Sequence, residues 1–257
     1  ISGLNSNNWA VAESNNQIHI ITSNGLCVSL QSDDLEETHS FKQKSLENCI
    51  GPLPTIGYKG QVYTVGLTEN GLLGIVNEKG EFTTGFPVKT GVPTLSAPVL
   101  DQTDGQIAIL VLGQKGEFFK VNMSGKVVQK NQFFRPDTEY KFQLCASDKP
   151  NDWVVMRGNN KAVTVLDKND KELFSIKDLA FGRKYLKYYN LGSGRRFYAI
   201  FNGWSSYYLY NEKGEQVSDK PIVSSSAPII QYSDSYNKLI ITTHNNQNIE
   251  TWSIKLK

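Results

Sequence analysis

The chain has 257 residues, of which 39% are hydrophobic, 11% aromatic and 20% charged, and its 27 Lys and Arg nearly balance its 25 Asp and Glu. This composition is typical of a soluble globular protein and excludes a disordered or collagen-like chain. A formal net charge of +2 argues against general nucleic-acid binding, which needs a strong basic excess. The longest apolar run, Ile107–Leu112, is far shorter than the roughly 20 residues that span a bilayer.

A repeat of about 43 residues runs through the whole chain. In each copy an apolar strand is followed by a turn and a partner strand. The first strands of these pairs start 44, 45, 46, 44 and 42 residues apart, at Gln17–Ile21, Gln61–Val65, Gln106–Leu110, Asp152–Met156, Arg196–Ile200 and Lys238–Thr242. Short strands rich in β-branched and aromatic residues, at a period of about 40–50 residues, predict the blades of a β-propeller.

The strands and turns that flank these strands recur with the same spacing along the chain. The partner strands are Leu26–Leu30, Leu72–Val76, Glu117–Val121, Ala162–Leu166, Tyr207–Tyr210 and Ile249–Ile254. Tight turns follow at Asn77–Gly80, Asn122–Gly125, Asp167–Asp170 and Asn211–Gly214, where Gly or Asn favours a positive φ. A further strand, the innermost of the blade, is predicted ahead of each pair. Two of these inner segments, Ser96–Leu100 and Ser226–Ile230, are nearly identical and lie three periods apart.

We therefore predict an all-β chain: one domain over residues 1–257, folded as a six-bladed β-propeller of four-stranded antiparallel blades, with strands A to D from the centre outward. Asp33–Asn48 fits a helix or an outer strand at Thr38–Lys44. The sixth copy ends at strand C with Ile254, so its outer strand would have to come from Ile1–Leu4, which closes the ring. A seven-bladed ring with one blade upstream of Ile1 is the alternative.

Three cysteines, Cys27, Cys49 and Cys145, are too few and too far apart for a disulfide framework. We expect them to be small buried side chains, and a Cys27–Cys49 disulfide stays open for an exported protein. No secretory signal is visible. Because the sequence starts with Ile1 rather than Met, we expect a segment upstream, which fits an exported protein and an excised domain equally.

The repeats resemble those of the PQQ-like and WD40-like β-propeller superfamily. Gly85–Asp101 is similar to blade junctions of exported propellers, and Phe181–Gly214 resembles the C-terminal propellers of uncharacterised exported Bacteroidetes proteins. The resemblance implies an extracytoplasmic scaffold, periplasmic or at the cell surface, without a known activity. The chain lacks, at the matching positions, the outer-strand Trp of PQQ repeats, the Gly-His and Trp-Asp dipeptides of WD40 blades and the adjacent cysteines of quinoproteins. We therefore expect no quinone or other cofactor.

The sequence contains no pattern of catalytic or metal-binding chemistry. It has no Gly-x-Ser-x-Gly elbow, no phosphate loop and no clustered metal ligands, so we predict no catalytic residues and no metal. Glycosidases need two carboxylates across a cleft. Such residues are available, namely Asp101, Asp137, Glu139 and Asp148. The alternative to a non-enzyme is therefore a polysaccharide-acting hydrolase or lyase with its site in the central channel.

The fifth copy has an unusual composition. Ten aromatic residues lie between Tyr185 and Tyr210, and no Asp or Glu lies between Phe181 and Asn211. Packing between blades accounts for most of these aromatic residues. Trp204 is different, because it lies in the predicted B–C turn, where an exposed Trp would be a binding anchor.

Propeller topology places the B–C turns and the D–A connectors on one face. Five candidate partner-binding residues fall there: Trp204, Arg183, Arg157, Arg135 and His244. Arginines beside a Trp suit an anionic or sugar-containing ligand, although scattered solvated arginines fit the same sequence. We expect a non-catalytic scaffold that binds a protein or glycan partner on this face and binds no nucleic acid, as a monomer or as a domain of a larger chain. A purely structural domain stays open.

Overall fold

The structure is a computed structural model that describes residues 9–14, 17–22, 26–31, 33–42, 49–51, 53–58, 61–77, 79–103, 105–203, 205–245 and 248–256. Its elements are β-strands, with one short 3-10 turn, so the all-β prediction is confirmed. Consecutive strands pair antiparallel into five four-stranded sheets and one three-stranded sheet over these ranges. The chain forms two compact units, Ile1–Phe133 and Phe134–Lys257. The predicted span of a single domain over 1–257 stays a prediction.

The first unit holds three sheets. Their strands are β1 (Trp9–Ser14), β2 (Gln17–Thr22), β3 (Leu26–Gln31), β4 (Glu37–Lys42), β5 (Thr55–Tyr58), β6 (Gln61–Leu67), β7 (Leu72–Asn77), β8 (Val88–Lys89), β9 (Val99–Thr103), β10 (Gln106–Leu112), β11 (Glu117–Asn122) and β12 (Val127–Gln132). An apolar core lies between sheets β5–β8 and β9–β12, with Leu73, Ile75, Ile109 and Val121 almost fully buried. β4 shows that the outer-strand reading of Asp33–Asn48 is correct for residues 37–42.

The second unit holds the other three sheets. Their strands are β13 (Lys141–Ala146), β14 (Trp153–Gly158), β15 (Val163–Leu166), β16 (Glu172–Ile176), β17 (Tyr185–Asn190), β18 (Arg196–Phe201), β19 (Ser206–Asn211), β20 (Ile222–Val223), β21 (Ile229–Ser233), β22 (Lys238–Asn245) and β23 (Asn248–Lys255). The 3-10 turn Asp234–Tyr236 joins β21 to β22. The predicted closing segment, Ile1–Leu4, lies outside the described residues.

The predicted tight turns between the third and fourth strands are confirmed. In each, one Asn or Asp side-chain oxygen accepts the backbone N–H groups two and four residues further on. The heads of these turns are Asn77, Asn122, Asp167 and Asn211. The fourth residue is left-handed, with φ from 63° at Asp170 to 78° at Gly125. The side-chain oxygen thus accepts hydrogen bonds from backbone N–H groups that have no partner strand at the turn.

The inner strands start later than the sequence suggests. β9 begins at Val99 rather than Ser96, and β21 begins at Ile229 rather than Ser226. In both cases the strand begins directly after a proline. Proline has no N–H to donate, so the antiparallel ladder begins after it.

Sheet β17–β20 is buried on both faces. On one face Tyr188 and Tyr198 stack, with centroids 5.2 Å apart, against the apolar side of sheet β13–β16. On the other face, Tyr189 and Phe197 pack with Leu239 of sheet β21–β23. The prediction that most aromatic residues of the fifth copy pack between sheets is therefore confirmed.

Two cysteines behave as expected from their apolar surroundings. Cys49 and Cys145 are free and buried. Burial raises the pKa of each thiol to about 12, so both are protonated at neutral pH. The Cys27 side chain lies outside the described residues.

Candidate functional site

One end of the sheets in the second unit forms a continuous border of turns and connectors. Leu179 N–H donates to the Lys161 carbonyl at 2.9 Å, which joins the connector before β17 to the β14–β15 turn. Ser224 N–H donates to the Ser205 carbonyl at 2.8 Å, and Ser225 N–H donates to the His244 carbonyl at 2.7 Å. These bonds hold together segments that come from all three sheets. We call this border the connector edge, defined by Phe181, Arg183, Lys184, Tyr185, Val223, Ser225, Ile229, His244 and Ile249.

The connector edge exposes several large apolar side chains. Their exposed fractions are 76% for Phe181, 75% for Ile249, 62% for Ile229, 50% for Val223 and 39% for Tyr185. Single exposed apolar residues are normal on a protein surface. Five along one hydrogen-bonded border form the kind of surface that excludes water when a partner covers it.

Arg183 lies beside this apolar surface and is exposed. Its guanidinium carbon is 4.8 Å from the centroid of the Tyr185 ring. Tyr185 in turn pairs with Phe201 across the strands, with centroids 5.9 Å apart. The cation is therefore held by a ring that the sheet itself positions, and it makes no ion pair with a carboxylate of the described residues.

Lys184 is the neighbour of Arg183 and is only 4% exposed. Its ammonium donates to the Asn202 side-chain oxygen at 3.1 Å and to the Ala180 carbonyl. Both acceptors are uncharged, and burial lowers the pKa of Lys184. The side chain thus joins the connector before β17 to the β18–β19 turn. Sequence reasoning did not select Lys184, although the lack of nearby acids was a signal for it.

His244, one of the residues selected from the sequence, lies on the connector edge. Its Nδ1 is 3.0 Å from the Ser225 hydroxyl oxygen, and the same hydroxyl donates to the His244 carbonyl at 2.7 Å. The side chain is exposed, and the residue is one of the last two of strand β22, where it pairs with Ile249 of β23. Trp204, the predicted anchor, lies outside the described residues, between Gly203 and Ser205.

Arg135 and Arg157 both interact with the connector Phe134–Tyr140 before β13. Arg157 Nη1 donates to the Phe134 carbonyl at 3.1 Å, and its guanidinium carbon lies 5.9 Å from the Tyr140 ring. Arg135 Nε donates to the Tyr140 carbonyl at 3.0 Å. These two arginines hold the connector, and no described contact groups them with Arg183.

Three of the four carboxylates considered for glycosidase chemistry, those of Asp101, Asp137 and Asp148, have local partners. Asp101 lies 2.6 Å from the Lys120 ammonium, and Asp148 lies 3.8 Å from the Lys187 ammonium. The Asp137 carboxylate accepts the Glu139 N–H at 2.8 Å. Within the described part of the chain, no three His, Cys, Asp or Glu side chains group as metal ligands.

Comparison with known proteins identifies the architecture. No family model matches the chain, and no curated protein matches it. The crystal structure of BamB from Moraxella catarrhalis has a TM-score of 0.54 at 12% identity, over 95% of this chain and 84% of that one. A crystal structure of BBS1N in complex with ARL6DN, soaked with mercury, gives 0.57 at 16% identity, over 96% and 77%.

The chain has the β-propeller fold. A second structure of BBS1N with ARL6DN, soaked with lead, agrees, with a TM-score of 0.56 at 15% identity over 96% of this chain and 78% of that one. Identities this low show the fold alone. The described residues contain no helix that is long and apolar enough to cross a membrane.

Proposed function

We propose that this chain is a non-catalytic β-propeller module that binds a protein partner at the connector edge. The observations that carry the proposal are the five exposed apolar side chains of the connector edge and the exposed Arg183, which rests on the Tyr185 ring. Interface hot spots are enriched in aromatic residues and arginine, and they lie on rigid frameworks. BBS1N, which is similar in fold, is known in complex with the protein ARL6DN.

The connector edge can bind without a large rearrangement. Its segments are joined by backbone hydrogen bonds, and the sheets behind it are packed on apolar cores. A partner would therefore order few additional side chains when it binds, which lowers the entropic cost of association. We assign Trp204 and His244 to this surface. Arg135 and Arg157 support the connector before β13.

Photo-crosslinking tests the proposal. Benzoylphenylalanine placed at Phe181 or Ile249 should yield a specific protein adduct in extract of the source organism. Excess unlabelled protein should compete with the adduct, and Arg183→Ala combined with Trp204→Ala should weaken it. The matched control is Lys213, an exposed residue in the turn at the opposite end of sheet β17–β20. Equal adducts at position 213, glycan adducts, or none at 181 and 249 would reject the proposed surface.

We also propose a six-bladed ring in which Ile1–Leu4 completes the sheet β21–β23, with a seven-bladed ring as the alternative. In support, this sheet has three described strands, whereas the other five have four. Hydrogen exchange tests the closure. The β23 amides that point away from β22 should be protected, and deletion of residues 1–4 should remove that protection. Unprotected amides in the intact chain would contradict the closure.

The proposed cellular location is extracytoplasmic. It rests on the resemblance of Phe181–Gly214 to exported propellers. Fractionation of cells that express the natural gene tests it, because the protein should be found with periplasmic or surface markers.

A further inference from the structure

The connector edge carries two basic side chains, Arg183 and Lys184, that form no ion pair with a carboxylate in the described part of the chain. Between Phe181 and Asn211 there are Lys and Arg residues but no Asp or Glu. Away from this edge, neighbouring segments supply the missing acids. Lys187 lies 3.8 Å from Asp148, and Arg195 lies 3.9 Å from Asp234. Arg183 and Lys184, at the connector edge, have no such partner among the described carboxylates.

Because Lys184 is buried, its unpaired positive charge is energetically unfavourable in the protein without a partner. Its ammonium is buried against a backbone carbonyl and the Asn202 amide oxygen, neither of which carries a charge. Burying a charge without an opposite charge is unfavourable, and the lowered pKa of Lys184 has the same cause. An anion bound close to this side chain would offset that cost.

Arg183 has the geometry to receive such an anion. The contact with the Tyr185 ring holds the side chain in place without a carboxylate. Guanidinium groups bind carboxylates with two parallel N–H···O bonds and stack on aromatic rings at the same time. Phe181, two residues away, is largely exposed and offers an apolar contact beside the cation.

We propose that the partner of the connector edge presents an acidic segment, in which one Asp or Glu pairs with Arg183 and an adjacent apolar residue packs on Phe181. Lys184 acts as a positioning residue, because it holds the connector that carries Arg183 against the β18–β19 turn. The inference rests on the proposed protein-binding function and specifies the chemistry of its partner.

A display library of random 12-residue peptides tests the inference without knowledge of the natural partner. Peptides selected on the wild-type protein should be enriched in Asp or Glu next to an apolar residue. For a selected peptide, Arg183→Gln should weaken binding about 10- to 100-fold, as expected for loss of a charge-assisted hydrogen-bonded pair. Exchange of the acidic peptide residue for its amide should cost the same factor and add no further loss to Arg183→Gln.

Two control variants separate this pair from general effects. Arg195→Gln removes a cation whose partner is Asp234, away from the edge, and should leave peptide affinity unchanged. Phe181→Ala should remove the preference for an apolar residue while the preference for an acid remains. Arg183 is exposed, so its variant should unfold at the temperature of the wild type.

The outcomes distinguish the two proposals. Selected peptides that lack acids but still depend on Phe181 would overturn the acidic partner and keep the protein-binding surface. Selection of basic peptides would overturn the acidic partner in the same way. No enrichment, or peptides that bind equally after Phe181→Ala and Arg183→Gln, would overturn both.

Discussion

The Asp152 carboxylate joins two sheets of the second unit and provides a quantitative test of the structure. It lies at the end of the β13–β14 turn and accepts the Ser147 hydroxyl at 2.6 Å. From strand β17 it accepts the Asn190 amide at 2.8 Å and the Tyr188 hydroxyl at 3.1 Å. Three donors from two sheets thus converge on one partly buried carboxylate.

The expected loss on mutation follows from these bonds. A hydrogen bond to a charged group contributes about 1.5–3 kcal/mol, but bonds that share one acceptor group are not additive. We expect Asp152→Ala to lower the free energy of unfolding by about 3 kcal/mol, because the buried Tyr188 hydroxyl loses its acceptor. Asp152→Asn keeps one acceptor oxygen and loses the charge, so its loss should be about 1–2 kcal/mol.

The pH dependence gives the sharper test. Burial alone would raise the pKa of Asp152, but hydrogen bonds from Ser147, Asn190 and Tyr188 and the charge of Arg196 hold it below its ordinary value. A carboxyl group whose folded pKa is depressed stabilises the fold above its unfolded pKa of about 3.9. That stabilisation is lost as the pH falls through the folded pKa.

Urea unfolding followed by tryptophan fluorescence would measure this difference from pH 7 down to pH 2. The gap between the wild type and Asp152→Asn should be constant above about pH 5 and should shrink below about pH 4. Asp148→Asn is the matched control, because that side chain is 93% exposed and its ion pair with Lys187 is 3.8 Å long. A gap that does not shrink, or an equal loss for Asp148→Asn, would refute the role of Asp152.

Three further variants test packing and the buried cation. Gly214→Ala should cost about 2–3 kcal/mol in urea unfolding, since its Cβ would lie 2.8 Å from Phe174 atoms at a φ of 77°. Gly203→Ala, with a φ of 83° and open space around its Cβ, should cost only about 1 kcal/mol of backbone strain, and equal losses would contradict the Phe174 contact. Lys184→Met removes the hydrogen bonds to Asn202 and to the Ala180 carbonyl, so it should lower the free energy of unfolding by about 1–3 kcal/mol and weaken peptide binding, and unchanged peptide binding would contradict the positioning role.

The sequence predicted the strand pairs and their turns well because both depend on neighbouring residues. Strand β10 covers Gln106–Leu112, where a run of β-branched and other apolar residues predicted Gln106–Leu110. The first residue of each tight turn could be recognised from the sequence, because its Asn or Asp side chain accepts backbone N–H groups only two and four residues further along the chain. The inner strands β9 and β21 were predicted to begin three residues too early, because Pro98 and Pro228 have no N–H to donate and the ladder begins only after them.

The candidate site was only partly predictable, because similar side chains have different partners in the folded chain. Arg157 and Arg183 both lie near turns on the same predicted face. Only the folded chain shows that Arg157 contacts the connector Phe134–Tyr140, whereas Arg183 rests on Tyr185 and stays exposed. No local pattern in the sequence distinguishes these two environments.

The burial of sheet β17–β20 explains why binding should involve its end rather than its aromatic faces. Tyr188 and Tyr198 pack toward one neighbouring sheet, and Tyr189 and Phe197 pack toward the other, so none of these four rings can meet a partner without unfolding. Along β17, exposure is greatest at Tyr185, where the strand emerges from the connector. Arg183 and Lys184, which form no ion pair with a described carboxylate, lie at the same point, so apolar contact and positive charge are available together at the connector edge.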